Sequence, residues 1–470
     1  MRIYTMTVDG HSVTSSDTFP VLNPADESVV AEAPKGTVEL LDTAVAAARR
    51  AFPGWAAQTP EYRSAKLNEI ADLIEANAQE LSTLLTLEQG KTQGEFGADY
   101  EVGGAAAWTR VTAGLRLDDE VIQNDAQGRI VAVRKPLGVV ASITPWNWPL
   151  AIAIWHVMPA IHIGCTVVIK PSPYTPLTTL RLVELMNTLL PPGVINVVTG
   201  GAEIGDRIST HPDINKIVFT GSTAIGRHIM SNSAGTLKRL TLELGGNDAG
   251  IILPGTNIDP FIDRLFLASF LNCGQNCSAL KRLFVHSSQY EEIVEKIAAY
   301  VSTKRVGTGL DASNHIGPLS NRMQLEKVAS LVEDARKRGA RIVTGGMPLK
   351  GPGYFYKPTV VADVSDDMLL VKEEQFGPAL PILKYETVEE AVARANSLDV
   401  GLGGSVWSND VEAGAKIAAL LECGTAWVNS HSLLSPMAPF GGVKSSGIGT
   451  EFSIDGLKEY TYIQVINIAK

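Results

Sequence analysis

Short β-branched runs alternate with helical patterns through the middle of the chain, and this alternation constrains the fold more than any other feature. Five predicted strands share a continuous apolar character: Val139–Ile143, Cys165–Ile169, Ile195–Val198, Lys216–Phe219 and Gly250–Leu253. Three predicted helices lie between them: Leu177–Leu189, Glu203–Thr210 and Ala224–Ser231. Alternation at this spacing is typical of right-handed βαβ units, so we predict an α/β fold with a doubly wound parallel sheet.

A second α/β series follows and predicts a second domain. It has helical patterns at Tyr290–Val301, Gln324–Arg338 and Val388–Asn396 and an extended run at Arg341–Thr344. Upstream of the first series, apolar residues between Glu61 and Leu87 recur with helical spacing and predict one amphipathic helix. Two further segments, Leu117–Arg134 and Tyr460–Lys470, are strand-like and have no partner in the pattern. We expect a sheet shared between subunits to supply that partner.

Charge and composition favour a small-molecule partner. The 470 residues include 40 basic and 50 acidic side chains, a net charge of −10, which gives no electrostatic basis for binding nucleic acid or anionic membranes. Four cysteines are too few for a disulfide scaffold, so we expect a reducing compartment, most simply the cytoplasm. The N-terminus has no apolar signal segment. The uncharged stretch 137–169 is long enough to span a membrane, but Pro145, Pro149 and Pro159 interrupt it.

The common cofactor and metal motifs are missing from the sequence. It has no GxGxxG, no P-loop, no HExxH and no paired CxxC, so neither the usual dinucleotide fingerprint nor a zinc site is supported. Instead, Gly221 and Ser222 follow the strand that ends at Phe219 and precede a predicted helix. A helix N-terminus there presents free N–H groups to a phosphate, although a plain capped turn gives the same pattern.

Three residues are candidates for chemistry, and each has an ordinary structural alternative. Cys277 lies in a polar, glycine-containing loop, where it is either a nucleophile or an inert core cysteine. Glu243 stands among leucines before two glycines, where it is either a desolvated general base or an edge-strand acid facing water. Asn147 lies between two tryptophans after a predicted strand, where it either donates to an oxyanion or forms an Asx turn.

Taken together, these segments resemble the aldehyde dehydrogenase superfamily over nearly the full chain. The motifs that carry the resemblance are Pro145–Pro149, Lys170-Pro171-Ser172, Phe219–Ser222, Glu243–Gly246, Gly274–Cys277, Glu374–Pro378 and Pro439–Gly442. The order of the motifs and the 34-residue step from Glu243 to Cys277 also match the family. The resemblance implies a dinucleotide-binding domain of residues 1–116 and 137–245, a catalytic thiol domain of residues 246–445, and a small β oligomerisation arm of residues 117–136 and 460–470.

The resemblance also implies a mechanism and a cofactor site. Cys277 would attack an aldehyde, the Asn147 amide would hold the oxyanion, and Glu243 would activate the water that releases a carboxylic acid. NAD or NADP would accept the hydride. The family pattern assigns six residues to this cofactor: Lys170 to the adenosine ribose, Gly221 and Ser222 to the pyrophosphate, Glu374 to the nicotinamide ribose, with Phe376 and Trp146 packed beside it. Glu374 also fits an ordinary surface acid.

Two departures from the family pattern affect cofactor choice and assembly. Pro173 stands where NAD-preferring relatives commonly have an acid, so we expect turnover with both dinucleotides. Thr450 stands where many relatives have an arginine that ties subunits together. A homodimer or homotetramer remains our expectation. The next residue, Glu451, is either a secondary proton acceptor or a partner in a structural salt bridge.

The resemblance places a mostly apolar wall around the substrate. Its members are Trp148, Ile152, Trp155, Leu271, Asn276, Leu434 and Phe440. None of them carries a charge, so a succinate semialdehyde or a betaine aldehyde is disfavoured and an apolar aliphatic or aromatic aldehyde is favoured. The alternative function is a thioesterase-like cysteine hydrolase without redox chemistry, which would have no need for Lys170, Ser222 and Glu374.

Overall fold

The described residues form two large sheets, one three-stranded sheet and two two-stranded sheets. The structure is a computed structural model that describes residues 3–94 and 96–469. Residues 1, 2 and 470, at the ends of the predicted domain ranges, and residue 95 lie outside the described part.

The elements are numbered in chain order. The strands are β1 (Met6–Val8), β2 (His11–Val13), β3 (Thr18–Leu22), β4 (Val29–Pro34), β5 (Glu120–Asn124), β6 (Gly128–Pro136), β7 (Val139–Ile143), β8 (Thr166–Lys170), β9 (Ile195–Val197), β10 (Lys216–Thr220), β11 (Arg239–Glu243), β12 (Asp248–Ile252), β13 (Leu280–His286), β14 (Arg341–Thr344), β15 (Thr359–Ala362), β16 (Ala379–Tyr385), β17 (Val400–Gly401), β18 (Gly403–Trp407), β19 (Thr425–Val428), β20 (Val443–Lys444), β21 (Gly447–Ile448) and β22 (Thr461–Ala469). The α-helices are α1 (Val38–Ala56), α2 (Pro60–Ala76), α3 (Ala78–Gln89), α4 (Ala98–Gly114), α5 (Pro149–Ile163), α6 (Leu177–Met186), α7 (Ala202–Thr210), α8 (Thr223–Ser233), α9 (Ile262–Phe270), α10 (Tyr290–Ser302), α11 (Arg322–Lys337), α12 (Leu369–Lys372), α13 (Val388–Ala395), α14 (Val411–Ala418) and α15 (Ser453–Lys458).

The first sheet has the predicted doubly wound centre. Its order is β2-β1-β9-β8-β7-β10-β11-β21, and the five strands from β9 to β11 are mutually parallel. Residues in β7, β8 and β10 are buried throughout, as expected for strands covered on both faces. The chain moves outward from β7 through β8 to β9 and then returns to the other side of β7 at β10. A crevice therefore opens between β7 and β10, where doubly wound folds bind ligands.

The second sheet has the order β14-β15-β16-β13-β12-β18-β19 and is parallel except for its β14–β15 pair. Its apolar core is separate from the core of the first sheet, which supports two domains. The strand predicted at Gly250–Leu253 is β12 and belongs to this second sheet. The exact domain boundaries stay a prediction.

The predicted oligomerisation arm is a sheet formed within one chain. β22 pairs antiparallel with β6 along its whole length, and β6 pairs with β5 on its other side. The expectation that another subunit must supply the partner of these strands is therefore wrong. It failed because β6 and β22 lie more than 300 residues apart, and the sequence pattern does not report pairing at that separation.

The single helix predicted from Glu61 to Leu87 is two helices. α2 ends at Ala76, and α3 begins at Ala78. Between them, the Asn77 backbone leaves the helical region, and its side-chain amide donates to the Leu73 carbonyl at 2.8 Å. Asparagine competes for backbone hydrogen bonds in this way and so ends helices, although the apolar spacing continues through it. Within the described residues, no helix is long and apolar enough to cross a membrane.

A buried carboxylate connects α3 to the start of α6. Glu88 is 1% exposed, and its two oxygens accept hydrogen bonds from Leu177 N at 2.7 Å and Thr178 N at 2.8 Å. Burial raises the pKa of Glu88 to about 7, against the lowering effect of these hydrogen bonds. Because its pKa is raised on folding, this group contributes stability below its unfolded pKa, and the contribution is lost as the pH rises toward 7.

We predict that the melting temperature of the wild-type chain falls relative to that of a Glu88→Gln variant as the pH rises from about 4.5 to 8. The glutamine cannot ionise. A constant difference in melting temperature, independent of pH, is also expected because its NH2 group faces a backbone donor. The pH-dependent part amounts to about 3 kcal/mol at most. Differential scanning fluorimetry across this pH range measures it. Glu295→Gln, at an exposed position of α10, is the control, and a constant difference between wild type and Glu88→Gln would contradict the prediction.

Candidate functional site

Four of the predicted site residues lie at one edge of the first sheet. Asn147 follows β7, Lys170 ends β8, Ser222 follows β10 and Glu243 ends β11. These four strands are adjacent and parallel, so their carboxyl ends lie side by side. The structure therefore brings together residues that the sequence spaces over nearly 100 positions.

The loop that carries Cys277 comes from the second domain and has an unusual backbone. Asn272, Cys273 and Gly274 have φ angles of 51°, 60° and 70°, in the left-handed region. Gly274 is required there for two reasons, because a side chain would be strained at that φ and would also collide with the Gly377 carbonyl. The Gln275 side-chain oxygen accepts a hydrogen bond from Ser320 N at 2.8 Å. These constraints fix the path of the backbone just before Cys277.

Hydrogen bonds in both directions connect this loop to Asn147. The side-chain nitrogen of Asn147 donates to the Gln275 carbonyl at 3.0 Å. In return, the side-chain nitrogen of Asn272 donates to the Asn147 carbonyl at 2.9 Å. Asn147 is only 3% exposed. Its amide is thus held against the backbone two residues before Cys277, which is closer to the oxyanion-donor prediction than to a solvent-exposed Asx turn.

The Cys277 thiol is in an environment that opposes ionisation. Burial raises its pKa to about 12, and the Glu374, Glu243 and Asp248 carboxylates add to the increase. The Lys281 ammonium acts in the opposite direction. It also donates to the Cys277 carbonyl and lies 3.0 Å from Glu374 Oε1. Lys281 was missed in the sequence, where the available signal was a lysine inside the apolar run of β13.

Glu243 is a buried carboxylate without a hydrogen-bond donor. It is 4% exposed, and neither carboxylate oxygen has a partner among the described residues. Burial and the Glu451 carboxylate raise the pKa of Glu243 well above its usual range. The alternative of an edge-strand acid facing water does not hold, because β11 lies between β10 and β21. A carboxylate of this kind is a strong proton acceptor toward a small molecule beside it.

Glu451 lies behind Glu243 and contacts a buried histidine. Glu451 Oε1 is 3.2 Å from Nε2 of His156, and both side chains are almost fully buried. The other ring nitrogen of His156 is 2.9 Å from the Ser142 hydroxyl. His156 Nε2 also lies 3.0 Å from the Thr220 hydroxyl, and Glu451 Oε1 has no hydrogen-bond partner among the described residues, so both alternatives for Glu451 stay predictions. The sequence pointed to His156 only as a polar residue inside an apolar helix.

The predicted cofactor residues present complementary groups. Ser222 caps α8 by accepting a hydrogen bond from Ile225 N at 3.4 Å, and Gly221 precedes it in the turn. The rings of Trp146 and Phe376 meet edge to face, with centroids 5.4 Å apart. Glu374 Oε1 accepts a hydrogen bond from Gly246 N at 3.3 Å.

Two observations test whether a dinucleotide fits these residues. The Lys170 ammonium is 8% exposed, and the described residues offer it no hydrogen-bond partner; burial lowers its pKa to about 8. At Gly245, an added Cβ would lie 2.5 Å from Glu374 Oε2, so the Glu374 carboxylate packs closely against this glycine. A cation, a helix N-terminus and a carboxylate are the donors and acceptors that a ribose and a pyrophosphate require. The residues present fit the group.

The predicted substrate residues form two apolar clusters that share Trp155. The first contains Trp148, Ile152, Trp155 and Leu271, and the second contains Phe440, Trp155, Leu434 and Cys277 together with Leu402 and Phe452. Asn276 is in neither cluster; its side-chain nitrogen donates to the Ser432 hydroxyl at 2.7 Å. The nucleophile candidate therefore lies on the wall that the sequence predicted.

Two aromatic residues of this wall were missed. Phe452 packs edge to face on Trp155, with ring centroids 4.9 Å apart, and Trp108 lies 5.7 Å from Phe452. The indole N–H of Trp108 is buried and has no partner within the described part of the chain. No motif marked these residues, since aromatic side chains at such positions are equally typical of an ordinary core.

Comparison with known proteins decides the family. The aldehyde dehydrogenase family model matches residues 12–466. The chain belongs to the aldehyde dehydrogenase family. It is 39% identical over 469 residues to a phenylacetaldehyde dehydrogenase of Pseudomonas fluorescens, covering 97% of this chain and 93% of that one. It is 39% identical over 453 residues to a mitochondrial succinate-semialdehyde dehydrogenase of Arabidopsis thaliana, covering 96% and 86%.

A solved structure gives the same answer for the fold. A betaine aldehyde dehydrogenase of Staphylococcus aureus, crystallised in complex with NAD+, superimposes with a TM-score of 0.96 at 35% identity, covering 99% of this chain and 95% of that one. The family, the α/β fold class and the enzyme class predicted from the sequence, an NAD(P)-dependent oxidoreductase that acts on aldehydes, are confirmed. The hydrolase alternative without redox chemistry is not favoured.

We predict that Lys281→Met slows alkylation of Cys277 by iodoacetamide. Loss of the ammonium removes a cation that stabilises the thiolate, so the pKa of Cys277 rises further, and each unit lowers the thiolate fraction about tenfold. The rate between pH 7 and 10, followed by peptide mass spectrometry, is the measurement. Lys296→Met, which removes a surface lysine, is the control. An alkylation rate equal to or above that of the wild type would refute the assignment.

Proposed function

We propose that this family member oxidises an apolar aliphatic or aromatic aldehyde to its carboxylic acid, with NAD or NADP as the hydride acceptor. The proposal rests on one observation. Asn147 and the loop of Cys277 hydrogen bond to each other, while the unpartnered carboxylate of Glu243 acts electrostatically on the same thiol. A nucleophile, an oxyanion donor and a base are the groups that oxidation through a thioester requires.

In the first half-reaction, Cys277 is the nucleophile. Its raised pKa keeps the resting thiol protonated at neutral pH, so a base must take the proton as sulfur attacks the carbonyl carbon, and Glu243 is the buried carboxylate suited to that task. The carbonyl oxygen becomes an oxyanion, which the Asn147 amide and a backbone N–H stabilise. When bound, the nicotinamide accepts the hydride that leaves this carbon. A thioester on Cys277 remains.

In the second half-reaction, Glu243 acts as the general base toward water. After the proton taken from Cys277 has passed to solvent, the Glu243 carboxylate takes a proton from a water molecule, and the water oxygen attacks the thioester carbonyl carbon. The carbon–sulfur bond breaks, the carboxylic acid leaves, and Cys277 regains its proton. Burial without a hydrogen-bond donor keeps Glu243 basic for this step, because no protein group competes for its lone pairs.

We propose that six residues hold the dinucleotide. Lys170 would bind the adenosine ribose, Gly221 and Ser222 the pyrophosphate, and Glu374 the nicotinamide ribose, while Phe376 and Trp146 would pack against the ring system. The cap of α8 and the buried, unpartnered ammonium of Lys170 support this assignment.

We predict that Cys277→Ala abolishes acid formation and leaves dinucleotide binding intact, because only the nucleophile is lost. Glu243→Gln is expected to slow both the formation of reduced cofactor and the release of acid about 100-fold or more, since neither the Cys277 thiol nor the water then has its base. Stopped-flow absorbance at the reduced nicotinamide band measures both. Cys423→Ala is the matched control. A Cys277→Ala variant that still forms acid would overturn the mechanism.

We propose an apolar or aromatic substrate because Cys277 packs in an apolar cluster with Phe440, Phe452 and Leu434, and Trp155 joins this cluster to a second one of Trp148, Ile152 and Leu271. The similarity to a phenylacetaldehyde dehydrogenase agrees with this proposal. The similarity to a succinate-semialdehyde dehydrogenase points to a charged substrate instead. The proposal therefore rests on the composition of the wall and not on the relatives.

We predict that benzaldehyde and hexanal have higher kcat/KM values than succinate semialdehyde. The wall offers aromatic and aliphatic contacts but no cation among its nine named residues to pair with a second carboxylate. Steady-state kinetics with the three aldehydes is the test. A clear advantage for succinate semialdehyde would exclude the proposed substrate class.

We predict turnover with both NAD and NADP. Pro173 is exposed near Lys170 and can neither accept a ribose hydroxyl nor repel a 2′-phosphate, while Glu203, at the start of α7, acts on Lys170 electrostatically. Glu203→Gln is expected to shift the ratio toward NADP. Dissociation constants from nucleotide titration and kcat/KM values give the ratio. An NADP rate more than about a thousandfold below the NAD rate, or about 4 kcal/mol, would contradict this prediction.

We propose a homodimer or a homotetramer in which the three-stranded sheet contacts another subunit. Its strand β22 exposes Tyr462, Ile463, Val465 and Ile468, each 45–57% exposed. Contiguous apolar side chains on a sheet are typical of an interface. For location, we propose the cytoplasm, since all four cysteines are free in the structure, as in a reducing compartment.

A further inference from the structure

A fully buried ion pair lies outside the groups that the mechanism uses. Lys91 follows α3, and Glu101 is in the first turn of α4. Both side chains have no exposed surface, and the Lys91 ammonium donates directly to Glu101 Oε2. Gly90 makes this geometry possible, because its φ of 96° turns the chain sharply at the end of α3.

The ammonium of Lys91 also contacts the segment that carries the oxyanion donor. It donates to the Asn147 carbonyl at 2.9 Å and lies 3.7 Å from the ring centroid of Trp148. The ammonium therefore makes two hydrogen bonds, to Glu101 and to the Asn147 carbonyl, and one cation–π contact with Trp148. The Asn147 carbonyl therefore receives hydrogen bonds from Lys91 on one side and from Asn272 of the Cys277 loop on the other.

The carboxylate of Glu101 holds the helix that begins directly after Asn147. Its Oε1 accepts hydrogen bonds from Leu150 N at 2.9 Å and Ala151 N at 3.0 Å. These are N–H groups of the first turn of α5, and the N-cap residue Trp148 provides no side-chain hydrogen bond of its own. Glu101 thus caps α5 from another helix and favours it electrostatically as well.

Stability alone does not account for such a pair. Removing both charges from water costs several kcal/mol per ion, and apolar replacements of buried ion pairs are often neutral or stabilising. What the pair adds is a fixed geometry. Apart from the bond between them, the side-chain hydrogen bonds of Lys91 and Glu101 are made with Asn147, Leu150 and Ala151.

We propose that Lys91 and Glu101 are positioning residues that hold the Asn147 amide in place for the oxyanion. The inference rests on the role proposed for Asn147. Lys91 fixes the Asn147 carbonyl, and Glu101 fixes the first turn of α5 three and four residues later. The Asn147 side chain therefore has little freedom to move. Loss of either contact releases the donor without touching Cys277, Glu243 or the cofactor residues.

The test is a double-mutant cycle between Glu101→Gln and Asn147→Ala, read without any dinucleotide. The substrate is p-nitrophenyl acetate: the Cys277 thiolate attacks the ester carbonyl and expels p-nitrophenolate, and water then releases acetate from the thioester. The same oxyanion forms, so Glu101→Gln is expected to lower kcat/KM about tenfold or more. In the Asn147→Ala background, the same change is expected to cost about twofold or less, because the donor is already absent.

Three other results separate the possible failures. Equal losses in both backgrounds, or no loss in either, overturn the positioning role alone. If Asn147→Ala itself leaves ester and aldehyde rates unchanged, the proposed role of Asn147 fails, and the positioning role with it. If Cys277→Ala retains esterase activity, the ester reports a different site, and the positioning inference is rejected on this readout.

Two further variants control for folding. Lys91→Gln with Glu101→Gln replaces the ion pair by two amides of similar size and leaves no lone buried charge, so it serves in the cycle if the single variant does not fold. Glu459→Gln breaks a different lysine–carboxylate contact, 3.6 Å from Lys216, and is expected to leave the ester rate within twofold of the wild type. A tenfold loss in Glu459→Gln would show that any such pair has this effect and would overturn the inference.

Discussion

The carboxyl ends of β8, β7, β10 and β11 lie along one edge of the first sheet, and the candidate site depends on this alignment. A residue with a different chemical group lies at the end of each strand. Lys170 ends β8 with a cation and Glu243 ends β11 with a carboxylate, while an amide follows β7 and a helix-capping hydroxyl follows β10. The second domain adds one loop at this edge, and the strained backbone of that loop fixes its path. The chemistry of the candidate site therefore depends on where these four strands end. The helices and the second core hold those ends in position.

Burial shapes the electrostatics of the site in a consistent direction. The pKa of the Cys277 thiol and that of the Glu243 carboxyl are raised, and the pKa of the Lys170 ammonium is lowered. In each case, the low dielectric disfavours the charged form. The resting site therefore carries less charge than its composition suggests, and ligands that bring their own charge or dipole have large effects there.

The sequence was most informative where the signal was local. β7 is a continuous run of apolar residues and was predicted at its observed bounds, because a strand buried on both faces has no polar side to alternate with. The motifs at the strand ends pointed to Asn147 and Glu243, which the structure places at one edge of the first sheet, and to Cys277, whose loop hydrogen bonds to Asn147. Local helix spacing was less reliable, since it continued through Asn77, where the structure separates α2 from α3.

What the sequence did not predict depends on contacts between distant residues. The β6–β22 pairing joins segments more than 300 positions apart. Lys91 and Glu101 each look like ordinary charged residues in polar surroundings, and only the fold shows that both are buried against Asn147. His156 is similar, because its partner Glu451 comes from the far end of the chain. Burial of a charge is a property of the assembled protein, and no single segment reports it.

The short strand β21 links the far end of the chain to the catalytic edge. It pairs antiparallel with β11, directly opposite Glu243, and so covers a strand that would otherwise be open. A protease that removed the last 25 residues or so would leave the loop of Cys277 and the second core in the chain, although it would also remove Phe452 from the apolar cluster beside Cys277. It would nevertheless expose the backbone beside Glu243 to solvent and to other chains. Activity therefore depends on an intact C-terminal segment. An enzyme cleaved there would be inactive and would tend to aggregate through the newly exposed strand edge.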